Sequence, residues 1–520
     1  MKKQKQKRKV RSHVISNIFA GLMLILTGYL IYNVFVLDVF PMIYFVLLAA
    51  IIGLLALIIF FVHIKPKKHK FTQFLSTLLV VVLFVVTAFG NYILVKVPDI
   101  FDTLTNITNI SEQNVSMYVM KDKNIKRLKD IEGKLVGTVE MIDPSGTEEV
   151  LKAMKERGVK FNTEDYESTM ELVQALYDGT VDGIILNASY MDMVLEYSDF
   201  ESFNEDTRRI FTLDFKKETG LDTDDANKDK IIPDPFTVLI SGYDERGELS
   251  DNALNEERRS DANVLLTINP KSGTILMTSI PRDLYLEIGV AGYEGAYDKL
   301  THTGLLGLTG TKQTLENALD IEIDYVARVN FSSMIELVDS IGGIDIEVSE
   351  KVAEEAQDNR PEESGADITF IDGPGTYHIN GEQALDFSRE RYCFSDGDLQ
   401  RNANQQTVLK AIINKVTKPS TMIRFGKVLD TVSHVAKTNM SSKVMKSLIR
   451  FEIVAHPDWN FEKAAVLGYP DMQHAYLLGA EASVVIPDME SMDSVSLKIQ
   501  AVLDGYSSED VGIIDDEMIE

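Results

Sequence analysis

The sequence predicts an α/β protein: an N-terminal region of three transmembrane helices, a small α/β accessory domain, and a layered α/β/α domain around a central mixed sheet. Three observations carry that expectation. Three apolar runs of membrane-crossing length open the chain. Beyond Lys121, short β-branched runs alternate with helical patterns. The charge is also divided: residues 1–96 hold 12 Lys and Arg against one acid, Asp38, or +11, while the other 424 carry 40 against 78, or −38.

Apolar content of 45% with 25% charged residues excludes a largely disordered or fibrous chain. The single cysteine, Cys393, excludes a disulfide framework and a Cys-built zinc site. The acidic bulk argues against a phosphate-neutralising grip on nucleic acid. A length of 520 residues accommodates several domains.

The apolar runs are Val14 to Val36, Val39 to Ile64 and Phe71 to Val95. A cleaved signal peptide would show one shorter apolar core and a small-residue cleavage site. Lys2, Lys3, Lys5, Lys7, Arg8, Lys9 and Arg11 precede the first run, and Lys65, Lys67, Lys68 and Lys70 separate the second from the third. The positive-inside rule puts both clusters in the cytoplasm. Three crossings then deliver everything after Val97 to the outside, which predicts a multi-pass protein of the cell membrane with a large extracellular part. One thiol in an exported segment fits a Gram-positive surface.

The expected organisation is a basic tail at 1–13, membrane helices within 14–96, an accessory domain at 97–217, a linker at 218–232, the layered domain at 233–505 and an acidic tail at 506–520. In the accessory domain, Leu135 to Val139 and Gly183 to Leu186 read as strands, and Ser145 to Arg157 and Ser168 to Tyr177 as helices. The stretches Leu128 to Thr138 and Ala175 to Ile184 resemble one lobe of an extracellular solute-binding protein. Such a lobe would offer the Ser145–Thr147 turn, at a helix N-terminus, to a small ligand; the alternative is a spacer. In the layered domain, strands are expected at Phe236 to Ser241, Ala262 to Ile268, Thr274 to Ile280, Tyr325 to Val329 and Ile344 to Val348. Helices are expected at Lys312 to Leu319, Ser332 to Ile341, Gly381 to Phe387 and Asp398 to Val416, with a polar insertion at Glu350 to Ala366.

Four clusters carry candidate chemistry. They are Asp244 with Arg259-Ser260-Asp261; Arg282-Asp283 at a strand end; Asp298-Lys299 with His302; and Arg389-Glu390-Arg391 followed by Asp398, Arg401 and Gln405. Arg389 and Arg391, two apart, would share a face of an extended segment. Asp398, Arg401 and Gln405, at i, i+3 and i+7, share a helix face. Guanidinium forks fit phosphate oxygens, so a di- or polyphosphate is the natural guest, with Asp244 and Asp261 able to hold a bridging divalent ion. Each piece alone also has an ordinary reading: a solvated Arg-x-Arg edge, a capping Asp, a surface Asp298-Lys299 ion pair, a packed His302. Cys393 has no catalytic context.

Taken in order, Arg259 to Leu266, Asn269 to Lys271, Ser279 to Asp283, Asp298-Lys299, Val338 to Gly343, Gly381 to Leu385, Arg389, Arg391, Gly397-Asp398, Arg401 and Gln405-Gln406 resemble the LytR-CpsA-Psr family. The three-span start with an added external domain is similar to its capsule-type members. The pattern departs at Asn404, where many members carry a third arginine. The resemblance implies a phosphotransferase that attaches a glycopolymer linked to polyprenyl pyrophosphate, either capsular polysaccharide or wall teichoic acid, to peptidoglycan. It implies that Arg259, Arg282, Arg389, Arg391 and Gln405 bind the pyrophosphate and that Asp244 and Asp261 hold Mg2+ or Mn2+. Asp398, Arg401, Lys299 and Asp283 follow as positioning candidates, and Asp398 joins Arg259, Arg282, Arg389 and Arg391 as a candidate catalytic group. Expected partners are the lipid-linked polysaccharide, peptidoglycan, the lipid membrane and other capsule or wall assembly proteins, without nucleic acid. An isoprenoid groove is expected between the sheet and the helices Ser332 to Ile341 and Met422 to Val435. The alternatives are a membrane-bound regulator or sensor of capsule or wall biosynthesis, and a polyprenyl-pyrophosphate pyrophosphatase.

Overall fold

Three apolar helices, Lys2–Leu37, Met42–Ile64 and Lys70–Thr105, pack on one another at the N-terminus of the computed structural model. The structure describes residues 2–65, 69–105, 110–218, 232–243, 249–250, 252–418 and 425–511. All three helices are long and apolar enough to cross a membrane. They turn large apolar side chains such as Ile25 and Phe89 outward, as helices do when hydrocarbon is their solvent. Polar contacts tie the bundle internally: Asn33 Nδ2 donates to Asn91 Oδ1 at 2.8 Å, and Ser16 Oγ meets His63 Nε2 at 2.9 Å.

The third helix does not stop near Val95 as its apolar run suggested. It continues to Thr105, and its last turns bury Phe101 and Leu104 against Met445 and Ile449 of the layered domain. Lys437 Nζ donates to the Thr103 carbonyl at 2.8 Å, and Lys446 lies over the Phe101 ring at 5.5 Å. The span therefore runs directly into the globular part as a strut.

The accessory domain is a five-stranded sheet: β1 (Ile110–Met120), β2 (Leu135–Thr138), β3 (Asn162–Asp165), β4 (Gly183–Asn187) and β5 (Thr207–Glu218), in the order β3-β2-β4-β1-β5. β2 pairs parallel with β3 and β4, while β1 pairs antiparallel with β4 and β5. Helices Pro144–Glu156 and Thr169–Tyr177 fall where expected. The N-terminus of the first is already capped by Asp143, whose Oδ1 accepts from the Gly146 amide at 2.9 Å. An anionic ligand at the Ser145–Thr147 turn would meet that carboxylate.

The layered domain follows with β6 (Phe236–Tyr243), β7 (Ala262–Asn269), β8 (Thr274–Ile280), the ribbon strands β9 (Tyr285–Glu287) and β10 (Tyr297–Lys299), β11 (Tyr325–Asn330), the ribbon strands β12 (Ile344–Val348) and β13 (Gly375–Ile379), β14 (Ala436–Thr438), β15 (Asn460–Ala465), and the hairpin β16 (Gly468–Ala475) and β17 (Ala480–Pro487). The central sheet has the order β14-β11-β6-β7-β8-β15 and is mixed, with β11 parallel to β6 and β15 parallel to β8. Leu239, Leu265 and Leu276 pack beneath helices Leu308–Leu319 and Met489–Asp504 on one face. Val238, Val264 and Tyr325 pack toward Leu409 and Ile413 of helix Asp398–Val416 on the other. Period-2 alternation on strands covered on both faces produces this α/β/α sandwich. The polar insertion at Glu350 to Ala366 contains two short helices, Glu350–Ala356 and Pro361–Ser364.

The accessory and layered domains share one core, in which Val139, Ile142 and Tyr190 pack with Ile288, Ala296, Leu477 and Leu478. Most of the linker, 219–231, lies outside the described residues, as do Lys67 and Lys68 of the Lys-rich loop, Met422, and the tail from 512. Phe101→Ala, which empties a side chain only 2% exposed, should destabilise the junction by about 3 kcal/mol. Thermal unfolding of the full chain in detergent tests this, and an unchanged midpoint would mean the strut is not docked.

Candidate functional site

The site begins at the loop entering β7. Backbone hydrogen bonds hold the loop: Arg258 N to Gly304 O at 3.0 Å, Ser260 N to Thr301 O at 3.0 Å, and Asp261 N to Gly242 O at 2.9 Å. The approach is so close that a Cβ on Gly304 would lie 2.3 Å from the Arg258 carbonyl, which requires glycine there. Asp261 thereby projects between two arginines. Its Oδ1 accepts from Arg282 Nη1 at 3.1 Å, stands 3.9 Å from Arg259 Nη2, and is reached by Thr301 Oγ1 at 3.4 Å.

Ion pairs continue outward from this centre. Arg259 Nη1 lies 2.6 Å from Glu196 Oε2 of the accessory domain. On the other side Arg282 Nε is 3.5 Å from Asp283, whose other oxygen is 3.4 Å from Lys299 Nζ. The result is a chain of alternating sign: Glu196, Arg259, Asp261, Arg282, Asp283, Lys299. A second group is built by Asp398, whose Oδ1 accepts from Arg391 Nη1 at 3.2 Å and pairs with Arg401 Nη2 at 3.3 Å.

Electrostatics join the two groups. Burial pushes the Arg401 guanidinium down, Asp398 opposes this, and nearby Arg282 and Arg391 push it further down. Burial works against the Arg259 charge as well, but Asp261, Glu196 and Asp192 outweigh it and hold its pKa above the ordinary arginine value. Closely packed cations next to carboxylates are suited to receive an anion with several oxygens.

The structure corrects the expected strand at Arg389 and Arg391. Helix Gly381–Arg389 runs through Arg389, and the chain turns at Glu390 into a bend carrying Arg391. Glu390 causes the turn. Its buried carboxylate accepts from the Tyr392 amide at 2.7 Å, the Cys393 amide at 3.2 Å and Asn359 Nδ2 at 2.7 Å. Arg389 is partly buried at the helix end, where its charge pulls the Asp386 carboxyl down against the burial that raises it overall. Gln405 Nε2 reaches the Ser388 carbonyl at 3.4 Å and so braces the end of that helix.

Other assignments also change. Asp298 does not pair with the Lys299 side chain at the surface. It is fully buried and accepts from the Lys299 amide at 2.7 Å and the Leu477 amide at 2.6 Å, with His302 Nδ1 at 2.6 Å. His302 is a packed histidine, 3% exposed. Asn404 Nδ2 donates to the Phe387 carbonyl at 3.1 Å, and Gln406 Nε2 clamps β8 to β15 through the Met277 and Ala464 carbonyls, both at 2.9 Å. Burial pushes the Cys393 thiol up to about 12, with Glu390 adding to it, so it is not a thiolate nucleophile at neutral pH.

Two contributors, Glu196 and Arg328, escaped the sequence reading, and Glu390 entered it only as the residue between two arginines. Arg328 is fully buried on β11, donates from Nη2 to the Arg258 carbonyl at 3.0 Å and lies over the Tyr243 ring at 5.0 Å. Burial pushes it down to about 10, which leaves it cationic at neutral pH while it props the loop bearing Arg259. A charged residue in the middle of the apolar run Tyr325 to Val329 was its available signal.

The metal expectation meets a partial donor set. Asp244 lies outside the described residues, and these contain no group of three His, Cys, Asp or Glu able to hold an ion. Asp261 offers at most two oxygens, one of them already facing Arg282. A hard divalent cation needs about six oxygens, so the site fits Mg2+ or Mn2+ only together with phosphate oxygens from a substrate.

Glu196 competes for Arg259 as a phosphate would, and its side chain is 57% exposed. Replacing Glu196 with Gln should therefore tighten binding of a diphosphate by a few-fold, the scale of a half-exposed ion pair. Calorimetry with geranyl diphosphate measures this, and weaker binding by the variant would make Glu196 part of the binding set.

Residues 211–457 match the model described as LytR_cpsA_psr family, and residues 103–213 match one described as NMT1/THI5 like. Two curated relatives come from Bacillus subtilis (strain 168). Polyisoprenyl-teichoic acid--peptidoglycan teichoic acid transferase TagU is 34% identical over 209 residues, covering 40% of this chain and 61% of that protein. Polyisoprenyl-teichoic acid--peptidoglycan teichoic acid transferase TagT is 35% identical over 245 residues, covering 45% of this chain and 71% of that protein. The chain thus spans about three fifths of the length of the first of them. A solved structure, TagT bound to LIIa-WTA, is 30% identical over 53% of this chain and 93% of that one, with a TM-score of 0.41. With the family model over its layered domain and TagT matched over more than two thirds of its length, the chain belongs to the LytR-CpsA-Psr family.

Proposed function

We propose that the chain is a phosphotransferase that joins a glycopolymer carried on polyprenyl pyrophosphate to peptidoglycan through a phosphodiester. The observation that carries this reading is the clustering of Arg259, Arg282, Lys299, Arg391 and Arg401, drawn from separate segments, around Asp261, Asp283 and Asp398. The names of the TagU and TagT relatives support it.

The acceptor sugar hydroxyl attacks the phosphorus that bears the glycopolymer, and its proton ends on the departing polyprenyl phosphate. The bridging P–O bond breaks, and polyprenyl phosphate departs with the electron pair. Such a transfer asks the protein for alignment and charge stabilisation, not for a covalent nucleophile. Arg259 and Arg282 fork onto non-bridging oxygens from one side, Arg391 and Arg401 from the other, and Lys299 adds a point charge. Asp261, together with Asp244 from outside the described residues, would hold a magnesium or manganese ion jointly with the substrate, and such an ion would supply neutralisation of the charge developing on the phosphate oxygens.

A lipid-linked donor gives the membrane tether its purpose. The basic N-terminus and Lys-rich loop orient the spans so that the site lies outside the cytoplasm. Helix Phe425–Val435 packs between helix Phe331–Ser340 and the third apolar helix, a route by which an isoprenoid tail reaches the sheet. Capsular polysaccharide and wall teichoic acid are both polymers of the required class.

Incubating the full chain in detergent with a polyprenyl-pyrophosphoryl saccharide, Mg2+ and peptidoglycan fragments tests the reading. Glycan joined to peptidoglycan, with polyprenyl monophosphate released in equal amount, is expected; monophosphate without joined glycan would indicate hydrolysis. Arg282→Ala and Arg391→Ala should each lower turnover by about 100-fold with the fold retained. Asp261→Ala should shift the magnesium titration, and an unchanged titration would remove Asp261 from the ion site.

A further inference from the structure

Strand register builds a second surface beside the phosphate site. β9 and β10 pair antiparallel with Tyr285 opposite Lys299 and Glu287 opposite Tyr297. These four side chains therefore share one face of the ribbon, while Leu286 and Asp298 turn to the other. Lys299 belongs to the ion-pair chain through Asp283, and the backbone of Tyr297, two residues before it, lies roughly 7 Å from that of Lys299. The two tyrosine rings lie 5.5 Å apart at 34°, and Tyr285 Oη donates to the His474 carbonyl at 2.8 Å, which fixes its ring. Tyr297 is 44% exposed.

Both rings border a cleft of about 560 Å³ that also includes Glu287, Glu294 and Asn317. The carboxylates are anchored to the turn that walls it: Glu287 Oε1 accepts from the Gly295 amide at 2.7 Å, and Glu294 Oε1 from the Gly292 amide at 3.0 Å. Among the described residues, no Lys, Arg or His lines the cleft. Two carboxylates without a cation repel a polyphosphate chain. Tyrosine faces with carboxylate and amide groups around them suit a ring that has an apolar C–H face and an edge of hydroxyls or amides.

We propose that this cleft is the acceptor subsite and that it binds an uncharged pyranose chain. The sugar ring stacks on Tyr297 and Tyr285, its polar edge meets Glu287 and Asn317, and the reacting hydroxyl is directed toward Lys299. The inference rests on the phosphotransferase reading and adds the acceptor's chemistry and location to it.

The test uses the full chain in detergent with two probes, chitotetraose as a neutral glycan and geranyl diphosphate for the phosphate site. Saturation-transfer NMR should detect chitotetraose on the native chain. Tyr297→Ala should weaken this binding about tenfold, the scale of one lost aromatic contact, while geranyl diphosphate affinity stays unchanged and reports an intact fold. Glu287→Gln, which keeps the shape of the cleft, should weaken chitotetraose binding less. No saturation on the native chain, or equal binding by the native and Tyr297→Ala chains, overturns the subsite, as does preferential binding there of a polyanionic teichoic acid fragment. If geranyl diphosphate binds but chitotetraose does not, only the cleft assignment fails. If geranyl diphosphate does not bind the native chain, the reading of the phosphate site fails.

Discussion

Asp261 is the constraint around which the site is built. Two guanidinium groups about 4 Å apart repel by roughly 4 kcal/mol at an effective dielectric near 20, so Arg259 and Arg282 converge only with an anion between them. Asp261 supplies that anion in the absence of substrate, and Asp283 and Asp398 repeat the device for Lys299, Arg391 and Arg401. Five cations and four carboxylates, with Glu196 as the fourth, leave the cluster close to neutral. That balance lets a cationic site exist inside a strongly acidic domain. It also keeps the forks aligned without a bound anion, so that the proposed transfer would need little reorganisation.

The scaffold explains why the alignment holds. Asp261 stands at the entrance to β7, Arg282 just past the end of the neighbouring β8, and Lys299 on a ribbon whose backbone is tied to the same turn. Arg328 and Asp298, both fully buried, support this arrangement from below without lying in it. The accessory domain takes part as well, since it shares a core with the layered domain and places Glu196 on Arg259. Its effect on the site is therefore electrostatic and direct.

Much of this was legible in the sequence. Helix Asp398–Val416 was read to the residue because its i, i+3, i+7 pattern begins just after a glycine, and the hairpin at Asn269 to Gly273 because its turn residues sit between two β-branched runs. The convergence of Arg259, Arg282, Arg389, Arg391 and Gln405 was implied by the family resemblance, and the structure puts Arg259 and Arg282 on Asp261 and Arg391 on Asp398. The path at Arg389 to Arg391 was not legible, because the signal for extended structure, two like residues two apart, is the same whether or not a helix runs into it. What decides the path is Glu390, a carboxylate buried by its own hydrogen bonds, and no local pattern distinguishes it from a solvated one. β1 was missed because its first half, Ser111 to Asn114, is polar; β5 was missed although Phe211, Leu213 and Phe215 alternate with polar residues; and Glu196 was missed because docking between domains leaves no local trace.

The central claim is that separate forks act together on two linked phosphates. Titration of the full chain with geranyl diphosphate and with geranyl monophosphate, across a salt series, addresses it most directly. The account predicts saturable diphosphate binding that weakens with salt, exceeds monophosphate binding by at least tenfold, and falls when either the Asp261 group or the Asp398 group loses an arginine. Equal affinity for the two lipids, or diphosphate binding indifferent to one of the two groups, would contradict it.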